Sequence, residues 1–310
     1  MHHEYVLEVR NTLSPIEIDQ VSKLFHLVSK VTSHTPLGEH RWLDLVQGGR
    51  AAKFAILAYR HQSSDVICGY AQVSHSDNNW ALDLVTSPGS LDESENPSRL
   101  LLSRALELVA ENGGGHVHWW VPQPTPFQDM LAMELGMSVG RDLFQLRIAL
   151  PTSENFQQMV KDFQTRPFQI NQDEQSWLEV NNSAFSWHPE QGGWTREILE
   201  RRQLEPWFDL SGFLVHEIDG KMAGFCWTKV HEATHPPMGE IYVIAVHPNF
   251  QSRGLGKQLV VAGLNYLSRK GLTVGMLYVD SENHAARHLY EQLGFHFDHN
   301  DRAYVVDITV

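Results

Sequence analysis

The sequence predicts a mixed α/β fold (an α+β mixed sheet) built twice, as two tandem domains over residues 1–150 and 151–310. Three observations predict it. The 310 residues exceed one compact domain and suit two of about 150 each. A composition that is 42% hydrophobic and 20% charged provides for real cores rather than disorder. Strand-like and helix-like segments also recur in the same order about 160 residues apart, a spacing far too long for a solenoid repeat.

Each half opens on helical material. Ser14 and Pro15 form a cap and first-turn pair ahead of a helix reaching Lys30, and residues 173–185 are its counterpart. A hairpin follows in each half. Residues 55–59 and 66–73 flank a polar turn, and residues 213–217 and 222–230 flank Asp219-Gly220. A central strand then runs over 82–85 to Pro88, matched by 241–246 to Pro248. Residues 99–111 and 256–269 carry helical apolar spacing, and residues 116–121 and 274–279 are strand-like. Residues 130–137 match the helical run 288–295, and each half closes with a strand, near 143–149 and 303–308. The boundary is expected at 151–154, where Pro-Thr-Ser-Glu breaks the pattern.

A net charge of −13 argues against non-specific nucleic-acid binding, which needs clustered Lys and Arg. No stretch of about 18 apolar residues is present, so no membrane span is expected. The polar, acidic start Met1-His2-His3-Glu4 does not read as a secretion signal, and a cytoplasmic monomer is the expectation. Cys68 and Cys226 lie in apolar strand-like runs and read as buried free thiols. The 18 histidines are scattered without ligand spacing, so no metal is expected.

The chemistry concentrates after Gly239. A buried strand from Glu240 ends at Pro248, a loop follows, and a helix starts near Gly254. The loop reads Gln251-Ser252-Arg253-Gly254-Leu255-Gly256-Lys257. Unpaired amides and the helix dipole favour an anion there, glycines let the backbone approach it, and Arg253 and Lys257 add charge. A plain strand-to-helix turn would need no ligand. The spacing is neither that of a dinucleotide fold nor that of a nucleotide-triphosphate loop.

This Gln-x-x-Gly-x-Gly stretch resembles motif A of the GNAT acyltransferase superfamily, whose loop holds the pyrophosphate of coenzyme A. Residues 278–295, including Asn283, Ala286, Arg287, His288 and the run Leu289-Tyr290-Glu291-Gln292-Leu293-Gly294-Phe295, resemble motif B. The resemblance implies acetyl-CoA as co-substrate. It also implies cofactor contacts from Ile244, Ala245 and Val246 on the central strand, which splays from its neighbour in this superfamily. Amide formation needs a base for the amine, a polarised thioester carbonyl and a proton for the thiolate. Glu240 is the candidate base, although a strand-end carboxylate has a purely structural reading too. The resemblance makes Tyr290 the general acid, a position that core packing would also explain.

In the first half, Trp80 and Ala132 stand near where Glu240 and Tyr290 fall, and the loop over 89–100 carries three acids and no Gly-x-Gly. That half is expected to be non-catalytic. Residues 188–193, 225–231, 239–248 and 276–280 further resemble the mycothiol synthases, a tandem-GNAT family. That likeness implies acetyl transfer to the cysteine amine of cysteinyl-glucosaminyl-inositol. It also implies acceptor contacts from Glu39, Glu190, Lys229, Glu240 and Tyr278. Another small amine as acceptor, or a non-catalytic CoA-binding module, stays open at this point.

Overall fold

The computed structural model describes residues 5–32, 52–60, 63–76, 79–88, 97–186, 192–232 and 234–309. The first elements are β1 (Tyr5–Arg10), α1 (Pro15–Thr32), β2 (Ala52–Arg60), β3 (Ser63–Ser76), β4 (Asn79–Thr86), α2 (Ser98–Glu111), β5 (Gly115–Pro122), α3 (Pro126–Glu134) and β6 (Ser138–Ala149). Then follow α4 (Glu154–Met159), β7 (Arg166–Pro167), α5 (Glu174–Ala184), α6 (Arg196–Gln203), β8 (Phe213–Ile218), β9 (Lys221–His231) and β10 (Met238–Val246). The chain ends with α7 (Leu255–Arg269), β11 (Val274–Asp280), α8 (His284–Gln292) and β12 (His296–Ile308).

Two compact units result, one of residues 1–142 and 300–310, the other of residues 143–299. In the first, strands run β1-β2-β3-β4-β5-β12, with β4 and β5 parallel and the other neighbours antiparallel. In the second the order is β6-β11-β10-β9-β8-β7, again with one parallel pair, β10 and β11. The hairpins, central strands and crossover helices stand where the periodicity placed them. The short elements β1, α4, β7 and α6 were not foreseen, being too brief or too polar to show a period.

The closing strands correct the expectation. β6 pairs with β11 over Leu143–Asp280 to Ala149–Val274, and so completes the second unit. β12 pairs with β5 from Asp301–Pro122 to Ile308–Gly115, and so completes the first. Alternation shows that a segment is a strand but not which edge it joins. The packing does show it. Leu146 and Ile148 enter the second unit's core, while Tyr304 enters the first and its hydroxyl donates to Asp129 Oδ1 at 2.7 Å. Arg302 adds contacts to Asp142 at 2.8 and 3.0 Å, both within the first unit.

Helices cover both faces of each sheet. In the first unit, α2 buries Leu101, Leu102, Ala105, Leu108 and Val109 on one face, and α1 buries Val21, Leu24 and Phe25 on the other. In the second, α7 buries Leu259, Val260, Leu264 and Leu267 against Cys226 and Ile241. Each fully buried leucine of this kind contributes about 1.5–3 kcal/mol. The opposite face carries Trp177 and Val180 of α5 against Phe213, Phe225 and Trp227. Trp227 stacks on Phe213 at 4.3 Å and 7° within this cluster.

Helix α7 lies close to the sheet because of Gly263. A Cβ there would stand 2.5 Å from Cys226 Sγ and 2.7 Å from Ile241 Cδ1. Gly263→Val is therefore expected to destabilise the second unit by about 1–3 kcal/mol through overpacking. Urea or thermal unfolding checks this, and unchanged stability would show that the helix can move off.

Candidate active site

Strand β10 organises the site. Its pairing with β11 covers only Met238–Val274, Gly239–Gly275 and Glu240–Met276, although the two strands run on to Val246 and Asp280. Past Glu240 the parallel neighbours separate. On the other side β10 stays paired with β9 to Val246–Gly224, with a register shift between Ile241 and Val243. That bulge places Tyr242 and Val243 with the aromatic cluster of one face, while Ile241 and Ile244 join the α7 face. In the first unit β4 likewise parts from β5 after Leu82–Trp119, but its register with β3 is unbroken from Asn79 to Thr86. Trp80 there is buried, its Nε1 donating to Gly114 O at 2.8 Å, so the position does core work.

The loop after β10 forms a cradle. Pro248–Phe250 makes a 3-10 turn, Ser252 has φ 62°, and Gly254 caps α7 with φ 76°. No side chain caps α7, and its first turn holds no acid. Donor groups at such an end need an external acceptor. Gly256 has no unusual dihedral to serve; a Cβ there would meet nothing nearer than Val246 Cγ2 at 4.0 Å. The missing side chain leaves open space over the helix end. This fits an approaching pyrophosphate. Arg253 sits over the Phe250 ring at 5.4 Å and Lys257 over Phe156 at 5.5 Å, beside the cradle. Leu255 and Ala245 are buried, so any ligand contact from them is through backbone. Gln251 Nε2 donates to Val246 O at 3.3 Å and closes the loop on the strand.

Side chains of the second motif hold α8 in place. Asn283 Oδ1 accepts from Ala286 N at 3.1 Å and caps α8. Arg287 donates to Ser281 O at 2.8 Å and lies over Phe144. His288 Nε2 lies 2.8 Å from Gln292 Nε2. Tyr290 is buried in the α7-face core, edge-on to Phe295 at 5.7 Å, and burial pushes its hydroxyl well above the usual tyrosine range. Cys226 beside it is likewise driven up by burial, which makes it no nucleophile. Cys68 is only partly buried.

Glu240 is 7% exposed, and its Oε2 lies 2.7 Å from His231 Nε2. Register sets Lys229 directly opposite it, and Met276 and then Tyr278 follow on the same face of β11. Lys229 Nζ lies 4.6 Å from the Trp207 ring and 5.8 Å from the Tyr242 ring. Tyr278, 38% exposed, accepts a hydrogen bond from Gln145 Nε2 at 2.8 Å. Glu240, Lys229 and Tyr278 thus share one face. Glu39 and Glu190 lie outside the described residues. Sequence reasoning missed His231, Trp207, Tyr242 and Gln145. Only period-two counting from Lys229 would have found His231, and nothing local marks the others.

A splayed parallel pair, a bulged central strand and an uncapped Gly-x-Gly helix end define an acetyl-CoA-dependent N-acetyltransferase of the GNAT class. Residues 175–295 match the model of the Acetyltransferase (GNAT) family. A tandem GNAT protein from the clavulanic acid biosynthesis pathway superposes with a TM-score of 0.73, covering 98% of both chains at 14% identity. A GCN5-related N-acetyltransferase from Sphaerobacter thermophilus gives 0.71 at 18% identity, covering 99% of this chain and 98% of its own. In sequence, mycothiol acetyltransferase of Acidimicrobium ferrooxidans is 38% identical over 285 residues, 91% of each chain. That of Thermobispora bispora is 38% identical over 292 residues, 93% of this chain and 95% of its own. The chain belongs to the mycothiol acetyltransferase family.

Proposed function

We propose that the second unit transfers the acetyl group of acetyl-CoA to the cysteine amine of cysteinyl-glucosaminyl-inositol, giving mycothiol and CoA. The observation that carries this is a buried carboxylate, Glu240, set where β10 leaves β11, on the strand that leads into an uncapped helix N-terminus. Acetyl-CoA, when bound, supplies an activated thioester. The backbone over residues 251–257 holds its pyrophosphate, and the amides of Ile244, Ala245 and Val246 polarise the acyl carbonyl. Glu240 takes the amine proton, directly or through water. Lys229 and Tyr278, on the face that carries Glu240, contact the acceptor, whose hydroxyls suit amine and hydroxyl partners. The first unit, with an unbroken β4, is the non-catalytic copy.

The test is mass spectrometry of the protein with acetyl-CoA and cysteinyl-glucosaminyl-inositol. A gain of one acetyl group on the acceptor is expected. Release of CoA with some other small amine and none with this acceptor would assign the site to a different substrate.

Tyr290 protonates the departing thiolate. Because burial holds its proton far above pH 10, no loss of rate on its ionisation is expected up to about pH 10. Tyr290→Phe is expected to lower kcat by about tenfold, near the low end for acid catalysis, since water can substitute. Steady-state rates against pH check both; an unchanged kcat would reduce Tyr290 to packing.

A further inference from the structure

We propose that His231 is the proton exit of Glu240. Each turnover that uses Glu240 as base leaves a proton on a carboxyl whose side chain is 9% exposed. That proton has to leave before the next amine can be served. Among the described residues, His231 is the carboxylate's one hydrogen-bond partner, with Nε2 at 2.7 Å from Oε2. Its side chain is 27% exposed, so the ring spans from the buried acid to solvent. Among the described residues, no other side chain on this face is hydrogen-bonded to the Glu240 carboxylate. Lys229 is turned onto the Trp207 ring, and burial holds Tyr242 in its protonated form. Thr234 Oγ1 donates to His231 O at 2.9 Å and fixes the strand end that carries the ring.

The transfer balances simply. The acceptor nitrogen bonds to the acyl carbon as the thioester carbon–sulfur bond breaks; the N–H proton goes to Glu240, and the CoA thiolate leaves with the Tyr290 proton, which water replaces. Glu240 Oε2–H then gives that proton to Nε2 of neutral His231. The imidazolium so formed releases a proton from Nδ1 to water, and exchange with water resets the tautomer. One proton enters and one leaves, and the carboxylate is restored. His231 acts through Glu240, so it is a positioning and relay residue.

The inference rests on Glu240 being the base, and the variants separate the two. His231→Ala and His231→Gln are each expected to lower kcat by about 10- to 100-fold. KM for acetyl-CoA should stay within about twofold. Added imidazole should restore most of the kcat of His231→Ala and none of that of Glu240→Gln. Calorimetric titration with acetyl-CoA verifies that each variant is folded, and the glutamine variant carries the test if the alanine variant is not. Full kcat in His231→Gln, which can still hydrogen-bond Oε2 but cannot shuttle, would overturn the relay. So would failure of imidazole to rescue a folded His231→Ala. Wild-type activity in Glu240→Gln would instead remove the base reading itself.

Discussion

Glu240→Gln is expected to lower kcat by about 10²- to 10⁴-fold while leaving acetyl-CoA binding intact. The substitution keeps the size of the side chain and a hydrogen-bonding oxygen for His231, so the fold has little reason to respond. What disappears is an acceptor for the amine proton. Binding of the co-substrate should persist, because the cradle is built from backbone well past Glu240 on the chain. A loss confined to kcat marks an interaction made only as the reaction proceeds. Stopped-flow or steady-state assay of CoA release measures it, with calorimetry for the binding arm. A fall of less than about tenfold would assign the proton to water.

Gly256→Val is expected to do the opposite, raising KM for acetyl-CoA by about 10- to 150-fold with the fold retained. The space beyond Gly256 is open, and an added Cβ meets no protein atom nearer than Val246 Cγ2 at 4.0 Å. Valine in a helix costs only about 0.7 kcal/mol or less relative to alanine, and removing glycine offsets it. Those methyls stand instead where a pyrophosphate would approach the helix end. A charge-assisted hydrogen bond is worth about 1.5–3 kcal/mol, which sets the fold-change. Thermal unfolding beside a KM measurement separates this from damage. An unchanged KM would mean that the co-substrate does not pass over Gly256.

Much of this was legible in the residues, and the reason differs by feature. The hairpins and crossover helices follow from local periodicity, because Val21, Leu24 and Phe25, or Leu101, Leu102, Ala105, Leu108 and Val109, repeat at helical spacing. The cradle shows because Gly254 serves a positive φ and Gly256 leaves the helix end uncovered, and both leave a mark in one stretch of chain. The bulge at Tyr242 did not show, since a register shift is a property of two strands and not of one. His231 stayed hidden for the same reason: it meets Glu240 across a hairpin whose register no local pattern states. The helix-facing polar residues of the second motif showed as signature, yet Asn283 and Arg287 turn out to shape α8.

The exchange of closing strands has a consequence for how the chain is made. Residues 301–308 supply the strand that covers β5, and they are synthesised after every other described strand of either unit. While the intervening residues are still being added, β5 presents an open edge in a nascent chain, the kind of surface that invites wrong partners. The second unit, by contrast, has β6 waiting before β11 appears. Although encoded first, the first unit is therefore the later of the two to be completed.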